Sequence, residues 1–330
     1  MKKLNWAILG PGLIAKDFAS AILEANGEIY AVGSRSYDRA LDFAKKYDIS
    51  KAYGDYEEML RDELIDVVYI STPHSNHYEY IMMALKYNKH VICEKAIVLN
   101  RKQLDNIIVL ARKKNLVVAE AMTIFHMPLF KELKRIVGQG KIGDIKMINV
   151  SFGSCKEYDV TNRFFNKELA GGALFDIGSY ALSITRLFLS VEPNEIISTV
   201  KKFETGVDEQ SGIILKNEKD EMAVVTLAMR SKLPKRTVIA GDLGYITIDD
   251  YPRADEAVIT YIDGRLEKIK YGDKSKALLY EVEDMNESVL NTDRAEELNS
   301  LTLSKDVLTI MDEVRKQWDI SYGKAEEAEV

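Results

Sequence analysis

Cysteine and histidine are scarce in this 330-residue chain, which contains two cysteines and four histidines. The two cysteines, Cys93 and Cys155, cannot build a disulfide framework, so a reducing compartment is expected. The histidines and cysteines are not clustered at the spacing of metal ligands, and we therefore expect no metal site. Long apolar runs are missing as well. No stretch of about 18 residues lacks charged or strongly polar side chains, which excludes a membrane-spanning helix.

Positive charge is not in excess either. The chain has 45 Lys and Arg residues and 52 Asp and Glu residues, which gives a formal net charge of −7. A general nucleic-acid binder needs a basic face that neutralises phosphates, so this class of partner is excluded, although a local basic pocket is not. The first apolar run, Leu4–Leu9, is too short for the central region of a signal peptide and fits a buried strand. The expected location is the cytoplasm.

The remaining composition is that of a globular protein, with 46% hydrophobic residues and a length that predicts about two domains. Roughly the first 120 residues alternate apolar runs with amphipathic helical segments. Apolar strands without alternation, separated by such helices, predict a parallel sheet covered on both faces. The strand candidates are Leu4–Leu9, Ile29–Val32, Val67–Ile70, His90–Cys93 and Leu116–Ala119.

Beyond this point the strands tend to alternate polar and apolar residues, which predicts an α+β domain with a large, mainly antiparallel open sheet. We place this second domain at residues 123–330 and the first at residues 1–122. Helices are predicted at Pro128–Gly138, Ala173–Leu189 and Lys305–Trp318, and the last is expected to pack back onto the first domain. The strand candidates are Ile145–Phe152, Glu195–Lys202, Gly212–Leu215, Glu221–Met229, Lys235–Ala240, Tyr245–Ile248, Ala257–Ile262 and Arg265–Tyr271.

A glycine loop follows the first predicted strand and begins the first predicted helix. Residues 10–15 read Gly-Pro-Gly-Leu-Ile-Ala, which fits the G-x-G-x-x-A pattern at Gly10, Gly12 and Ala15. Leu13 and Ile14, at the variable positions of the pattern, are further candidate cofactor contacts. Gly10 permits a tight turn, and Gly12 lets a pyrophosphate approach the helix N-terminus, where free N–H groups favour anions. In this βαβ context the loop predicts a Rossmann dinucleotide-binding domain. A plain strand-to-helix turn is the alternative.

The end of the second strand indicates which dinucleotide binds. An Asp or Glu at this position would hydrogen-bond the ribose 2′-hydroxyl of NAD(H). This chain instead has Ser34 and Arg35, with Arg39 one turn further on. Guanidinium groups suit a 2′-phosphate, so NADP(H) is favoured over NAD(H). The alternative is that both arginines are solvated charges on a helix face.

Four motifs identify a family. Residues 72–77 read Thr-Pro-His-Ser-Asn-His, residues 89–96 read Lys-His-Val-Ile-Cys-Glu-Lys-Ala, residues 171–180 run from a glycine pair to Tyr180, and residues 240–246 read Ala-Gly-Asp-Leu-Gly-Tyr-Ile. With the glycine loop, they resemble the Gfo/Idh/MocA oxidoreductases in the family's order over nearly the whole chain. Tyr180, where other members carry His, places the chain nearer the glucose-fructose oxidoreductase and dimeric dihydrodiol dehydrogenase-like branch. Members of that branch favour NADP, and the family implies a homodimer or dimer of dimers through the open sheet.

The resemblance implies a set of catalytic residues. Hydride transfer at a carbinol carbon needs an acid/base on the oxygen and a charge that stabilises the developing alkoxide. Lys95 would supply the charge and favour ionisation of a nearby phenol, Tyr180 would transfer the proton, and Asp176 would orient the substrate hydroxyl or pair with Lys95. The cofactor contacts that the resemblance adds are Thr72, Pro73, Asn76, His77, Glu94, Lys95, Glu120, Met122 and Arg163.

Some of these positions have a second interpretation. His77 either binds ribose or packs beneath it, Met122 is alternatively a core residue, and Arg163 is alternatively a surface arginine. His74 is interpreted as a loop residue rather than a ligand. Ala96 replaces the proline that the family carries after the lysine, which leaves the preorganisation of the Lys95 loop open.

The resulting hypothesis is an NADP(H)-dependent oxidoreductase that transfers hydride between nicotinamide and a carbinol or carbonyl carbon. The substrate would be a small sugar, polyol or trans-dihydrodiol-like molecule. The alternatives are a regulatory protein that senses NADP(H) without turnover, and an oxidoreductase that retains its cofactor between turnovers. The identity of the substrate and the physiological direction do not follow from the sequence.

Overall fold

The computed structural model describes residues 3–291 and 301–327, and they form two compact units. The described part of the first unit comprises residues 3–121, 278–291 and 301, and that of the second comprises residues 122–277 and 302–327. The chain passes from the first unit to the second between residues 121 and 122, and residues 278–291 and 301, which we placed in the second domain, belong to the first unit. None of the described helices is both long and apolar enough to cross a membrane.

The first unit is built on a six-stranded sheet in the order β3-β2-β1-β4-β5-β6, with every neighbouring pair parallel. This order reverses direction between β1 and β4, and ligands of open parallel sheets bind at the carboxyl ends of the strands at such a point. The strands are β1 Asn5–Leu9, β2 Glu28–Gly33, β3 Lys51–Tyr53, β4 Val67–Ile70, β5 His90–Glu94 and β6 Val118–Ala121; the helices are α1 Leu13–Glu24, α2 Tyr37–Tyr47, α3 Tyr56–Leu60, α4 His77–Lys86 and α5 Arg101–Lys114.

The core of this unit centres on Trp6 and Tyr69, which are fully buried with Phe18 beside both. A helix from late in the chain, α9 (Ala277–Leu290), adds Leu278, Val282 and Met285 to the same cluster. The indole N–H of Trp6 donates a 3.2 Å hydrogen bond to Asn286 Oδ1. This helix was not among the helices predicted from the sequence.

The second unit contains an eight-stranded sheet in the order β14-β13-β12-β11-β7-β10-β9-β8. Only the β7–β10 pair is parallel, which confirms the mainly antiparallel sheet. The strands are β7 Ile145–Gly153, β8 Pro193–Lys202, β9 Asp208–Asn217, β10 Met222–Ala228, β11 Arg236–Gly241, β12 Gly244–Asp249, β13 Glu256–Tyr261 and β14 Leu266–Lys270; the helices are α6 Thr123–His126, α7 Pro128–Gly138, α8 Ser179–Phe188 and α10 Thr302–Trp318.

The prediction for the final helix was wrong. Helix α10 belongs to the second unit and packs against α8 and β8. Its buried Asp306 accepts a 2.7 Å hydrogen bond from Arg186 Nε on α8, because a buried carboxylate needs a charged partner. It is α9, not α10, that returns to the first unit.

Candidate active site

The glycine loop is fixed in a conformation that requires glycine. Gly10 has φ +93°, and a Cβ there would lie 3.1 Å from Thr72 Cγ2 and 3.4 Å from Ser71 O. The Gly10 N–H donates to Gly33 O at 3.0 Å, and Ser71 Oγ donates to Gly10 O at 2.7 Å. The loop is thereby tied to the ends of β2 and β4.

The N-terminus of α1 presents the features of an anion site. Gly12 is its N-cap, no side chain caps the helix, and its first turn holds no acidic residue. A Cβ on Gly12 would meet only Ser71 O, 3.9 Å away, so the space above it is open. Leu13 is 83% exposed, and Ile14 packs against the core. Free N–H groups beside open space fit the pyrophosphate of a dinucleotide.

The loop after β4 faces the glycine loop through Thr72. Thr72 Oγ1 is buried, with no hydrogen-bond partner among the described residues. An orphaned buried hydroxyl is costly unless a ligand supplies a partner, so this atom also fits a bound cofactor. Pro73 then begins a short 3₁₀ turn, and Asn76, half-buried, precedes α4.

Two arginines, Arg35 and Arg39, follow the end of β2. Ser34 is buried and its Oγ accepts from the Ser36 N–H at 3.3 Å, whereas Arg35 and Arg39 are exposed. Both arginines lie close enough to Tyr56 to oppose the rise that burial causes in the pKa of its phenol. The first carboxylate after this strand is Asp38, exposed in the first turn of α2.

Glu94, the last residue of β5, is oriented by a residue that sequence analysis missed. The hydroxyl of Tyr69 donates a 2.6 Å hydrogen bond to Glu94 Oε1. Burial, reinforced by the Glu94 carboxylate, raises the pKa of Tyr69 far above its usual range, so it stays a donor. Its ring stacks on Phe18 with 3.7 Å between centroids, which fixes the phenol.

The segment after Glu94 is held at three consecutive residues. His74 Nε2 donates to Lys95 O at 3.1 Å, His77 Nδ1 donates to Ala96 O at 2.9 Å, and the Ile97 N–H donates to Glu120 Oε1 at 3.0 Å. The Lys95–Ala96 peptide is cis. These hydrogen bonds supply a restraint at the position where the family carries proline.

The same contacts bear on the expected roles of His77, Glu120 and Met122. His77 is fully buried and bonds Thr72 O through its other nitrogen at 2.8 Å. Both ring nitrogens are therefore engaged by backbone, which favours packing over ribose binding. Glu120 is also buried, with one oxygen on Ile97. Met122 is fully buried in the second unit, where its carbonyl accepts from the Phe125 N–H.

In the second unit, the predicted helix at Ala173–Leu189 begins with a π-helical turn over Leu174–Gly178 and becomes the α-helix α8 at Ser179. Single π turns inside helices are often found at functional sites. Asp176 lies in this turn and is 8% exposed, whereas Tyr180, in the first turn of α8, is half-buried.

The start of this helix depends on Asp208, which sequence analysis did not single out. Asp208 Oδ2 accepts a 2.7 Å hydrogen bond from the Leu174 N–H. Gly172 has φ +114°, and a Cβ there would lie 2.1 Å from Asp208 Oδ1. The glycine therefore makes room for the carboxylate. Burial raises the pKa of Asp208 to about 7, although the backbone N–H groups that it accepts from oppose the rise.

Two further neighbours complete the surroundings of Asp176 and Tyr180 within this unit. Arg163 Nη2 lies 3.5 Å from Asp176 Oδ1, with its guanidinium over the Phe164 ring. Tyr251 is fully buried, its hydroxyl has no partner among the described residues, and burial together with the neighbouring Tyr180 raises its pKa far above the usual range. Asp176 is thus next to a guanidinium group, and Tyr180 is next to a buried phenol.

The described residues contain no group of three or more His, Cys, Asp or Glu side chains that could hold a metal ion. Lys95 is half-buried at the carboxyl edge of the first sheet. The cofactor residues of the first unit thus converge on its glycine loop and its Lys95 segment, while Asp176, Tyr180 and Arg163 converge on one helix start in the second.

Comparison with known proteins gives matches to both units. Residues 4–122 match the oxidoreductase family with an NAD-binding Rossmann fold, Gfo/Idh/MocA, and residues 130–247 match a Gfo/Idh/MocA C-terminal domain. The chain is 32% identical over 330 residues to trans-1,2-dihydrobenzene-1,2-diol dehydrogenase of Xenopus laevis, covering 96% of this chain and 99% of that protein. It is also 32% identical over 326 residues to the NADP(+) scyllo-inositol 2-dehydrogenase of Bacillus subtilis, covering 97% and 98%.

Solved structures show the same fold. A 3-ketoreductase from Actinomadura kijaniata in complex with NADP and TDP-benzene superposes with a TM-score of 0.85 at 22% identity, covering 96% of this chain and 98% of that chain. A levoglucosan dehydrogenase in complex with NADH and levoglucosan gives a TM-score of 0.86 at 18% identity, with the same coverage. At these identities the likeness concerns the fold alone.

Proposed function

Since this chain belongs to the Gfo/Idh/MocA family of NAD(P)-binding oxidoreductases, we propose that it is an NADP(H)-dependent enzyme that acts on a sugar, a polyol or a trans-dihydrodiol-like molecule. The observation that carries the proposal is the Lys95 segment, which three hydrogen bonds hold at the carboxyl edge of the dinucleotide-binding sheet. The curated relatives support the substrate class, because one is named for a dihydrodiol and the other for an inositol.

The catalytic roles follow from the chemistry of each side chain. The bound nicotinamide supplies or accepts the hydride, and the protein orients and polarises the reacting groups. The Lys95 ammonium stabilises negative charge on the substrate oxygen, as hydride addition to a carbonyl requires. Tyr180 gives or takes the proton on that oxygen. Asp176, fixed beside Arg163, accepts a hydrogen bond from a substrate hydroxyl and so orients the carbinol.

Binding of the cofactor is assigned to the first unit. The open N-terminus of α1 would hold the pyrophosphate, and Glu94, oriented by Tyr69, would hold the ribose next to nicotinamide. Arg35 and Arg39 would hold the 2′-phosphate, which is the basis for choosing NADP(H) over NAD(H). Thr72 would complete the site through its buried hydroxyl.

The test is turnover of a panel of sugars, polyols and cyclic diols with the purified protein, in both directions. We expect Lys95→Met and Tyr180→Phe each to lower kcat by about a hundredfold or more, because each removes a charge or proton donor used in the transition state. Lys102→Met and Tyr271→Phe, at exposed positions, are the matched controls and should leave kcat unchanged.

The outcome also separates the alternatives. If a substrate turns over and both site variants match the unmodified protein, the catalytic roles are wrong. If NADP(H) binds tightly and no compound turns over, a non-catalytic sensor describes the protein better. If NADP(H) stays with the protein through gel filtration and is reduced and reoxidised in place, the enzyme retains its cofactor.

We also propose that the open face of the eight-stranded sheet joins two copies of the chain. The sheet register places Ile197, Ile214 and Val224 next to one another in one cross-strand row on this face, and Asn149 separates Val224 from Val238 in the same row. Ile197 is 64% exposed and Ile214 is 40% exposed. An apolar row of this kind on an open sheet is typical of a surface that another chain covers.

A further inference from the structure

Two of the four histidines, His74 and His77, bond the backbone carbonyls of Lys95 and Ala96. His74 is in the 3₁₀ turn after β4, and His77 is the first residue of α4. Both are buried, and their rings meet edge-on with 5.6 Å between centroids. His74 bonds the carbonyl of Lys95 itself, and His77 bonds the next carbonyl.

The hydrogen bonds of His77 determine how many of its two ring nitrogens carry a hydrogen. Nδ1 lies 2.9 Å from Ala96 O, and Nε2 lies 2.8 Å from Thr72 O. A carbonyl oxygen can only accept, so each ring nitrogen must carry a hydrogen to make these bonds. A neutral imidazole has one N–H, whereas an imidazolium has two. The geometry is therefore that of a cation.

From this we infer that His77 is a positioning residue for Lys95, and that it acts as a buried imidazolium joining the Thr72 carbonyl to the Ala96 carbonyl. The ring connects the loop that faces the glycine loop with the segment that carries the catalytic ammonium. Loss of one proton would leave a nitrogen lone pair against a carbonyl oxygen, so one of the two segments would have to move.

Some of the charged groups on the segments around His77 oppose a positive charge on its ring, and others favour it. Lys95, one residue before Ala96, and the positive end of the α4 dipole oppose a cation. Glu120, whose Oε1 accepts from Ile97, Glu94 at the end of β5 and Glu79 in the first turn of α4 favour it. His74 is a second titratable ring, with 5.6 Å between the two ring centroids. The two carbonyl oxygens contribute directly, since a hydrogen bond to the charged form stabilises that form.

The decisive measurement is ¹⁵N NMR of the histidine side chains in the full-length protein without cofactor. Four histidines give a simple spectrum, and His77→Gln, His90→Gln and His126→Gln assign it by elimination. His90 is the internal reference, because its Nδ1 accepts from the Val117 N–H at 3.0 Å and so carries no proton. At pH about 8, above the ordinary histidine pKa of about 6.5, we expect His77 to show two protonated nitrogens.

A His77 signal with one unprotonated nitrogen at pH about 8 would overturn the imidazolium. The NMR measurement needs no substrate and no active variant, so its outcome does not depend on the proposed function.

A kinetic measurement, which rests on the proposed function, tests the positioning role. His77→Gln should lower kcat per bound NADP(H) by about ten- to a hundredfold, with KM for the organic substrate little changed.

The split between kcat and KM distinguishes positioning from general support of the fold. Misfolding would reduce the amount of NADP(H) bound but not the turnover of the protein that binds it. His90→Gln, on the same strand as Glu94 but at its other end, is the matched control and should keep kcat. Equal kcat in His77→Gln and His90→Gln would contradict the positioning role even where the imidazolium is observed.

Discussion

The carboxylate of Asp208 accepts a hydrogen bond from the backbone N–H of Leu174, with 2.7 Å between the two atoms. Leu174 begins the π-helical turn that contains Asp176. A residue 34 positions away along the chain thus fixes where the helix that carries Asp176 and Tyr180 begins. Because the carboxylate is buried, the pKa of Asp208 rises to about 7, and this gives the contact a measurable pH dependence.

Replacement of Asp208 by Asn should change how stability depends on pH. The pKa of Asp208 is higher in the folded than in the unfolded protein, so its contribution to the free energy of unfolding is complete below pH about 4 and is lost as the pH rises to about 7. The Asn variant has no such titration. The difference between the free energies of unfolding, wild type minus variant, should therefore fall by up to about 1.4 kcal/mol per pH unit in this window.

Urea unfolding of both proteins at several pH values measures this difference. Asp263→Asn, at an exposed turn position, controls for loss of a carboxylate in general and should follow the wild-type curve. Parallel curves for the wild type and Asp208→Asn between pH about 4 and 7 would show that burial does not raise the pKa of this carboxyl group.

Features with a local signal could be predicted from the sequence. The runs of apolar residues predicted the strands of both sheets except β3, Lys51–Tyr53, a three-residue strand without a buried apolar run. Gly10 and Gly12 predicted the loop, because a tight turn and an uncapped helix start require particular residues at particular positions. The spacing of Asn100 and Gln103 likewise predicts a helix start, and Asn100 Oδ1 accepts from the Gln103 N–H at 2.9 Å.

Features that depend on contacts distant in sequence could not be predicted. The helical spacing of Leu278, Val282 and Met285 is visible in the sequence, but no local rule says that this face packs beside Trp6 in the first unit. The partners of Glu94 and Leu174 are Tyr69 and Asp208, and each pair meets only after folding. For the same reason His77 could be assigned to the cofactor loop, but not to the carbonyl of Ala96.

Removal of the Tyr69 hydroxyl should weaken cofactor binding. In Tyr69→Phe, Glu94 loses the phenol that orients it, while the stacking on Phe18 is kept. We expect the Kd for NADP(H) to rise about three- to tenfold, equivalent to roughly 1 kcal/mol for one hydrogen bond to a half-buried carboxylate. Fluorescence titration measures the Kd.

The matched control is Tyr53→Phe, which removes a phenol that donates to Asp62 Oδ2 at 2.7 Å in the same unit. This variant loses the same type of hydrogen bond at a carboxylate to which no cofactor role is assigned. If both variants raise the Kd equally, Tyr69 acts only through the stability of the unit and Glu94 does not contact the ribose.

Arg35 should determine the preference between the two dinucleotides. Arg35→Ala removes a guanidinium from the end of β2, and the loss of a charge-assisted hydrogen bond corresponds to about ten- to a hundredfold weaker binding of NADP(H). The affinity for NAD(H), which has no 2′-phosphate, should stay within about twofold. Arg112→Ala, at an exposed position in the last turn of α5, is the control. An equal loss of affinity for both dinucleotides would exclude the 2′-phosphate role.

Association through the open sheet should be sensitive to charge at its centre. Ile214 and Val224 are paired neighbours on that face, and burial of apolar area between copies favours association by about 25 cal/mol per Å² of apolar surface. Ile214→Lys combined with Val224→Glu would place charges where a second copy would bury them, and desolvation of those charges opposes association. We expect light scattering to find a dimer for the wild type and a monomer for the double variant, with unchanged circular dichroism. The control is Val109→Lys, at an exposed apolar position on α5, which should leave the molar mass measured by light scattering unchanged. A wild-type chain that is monomeric at micromolar concentration would exclude this interface. A double variant that still forms a dimer would show that the interface lies on another surface.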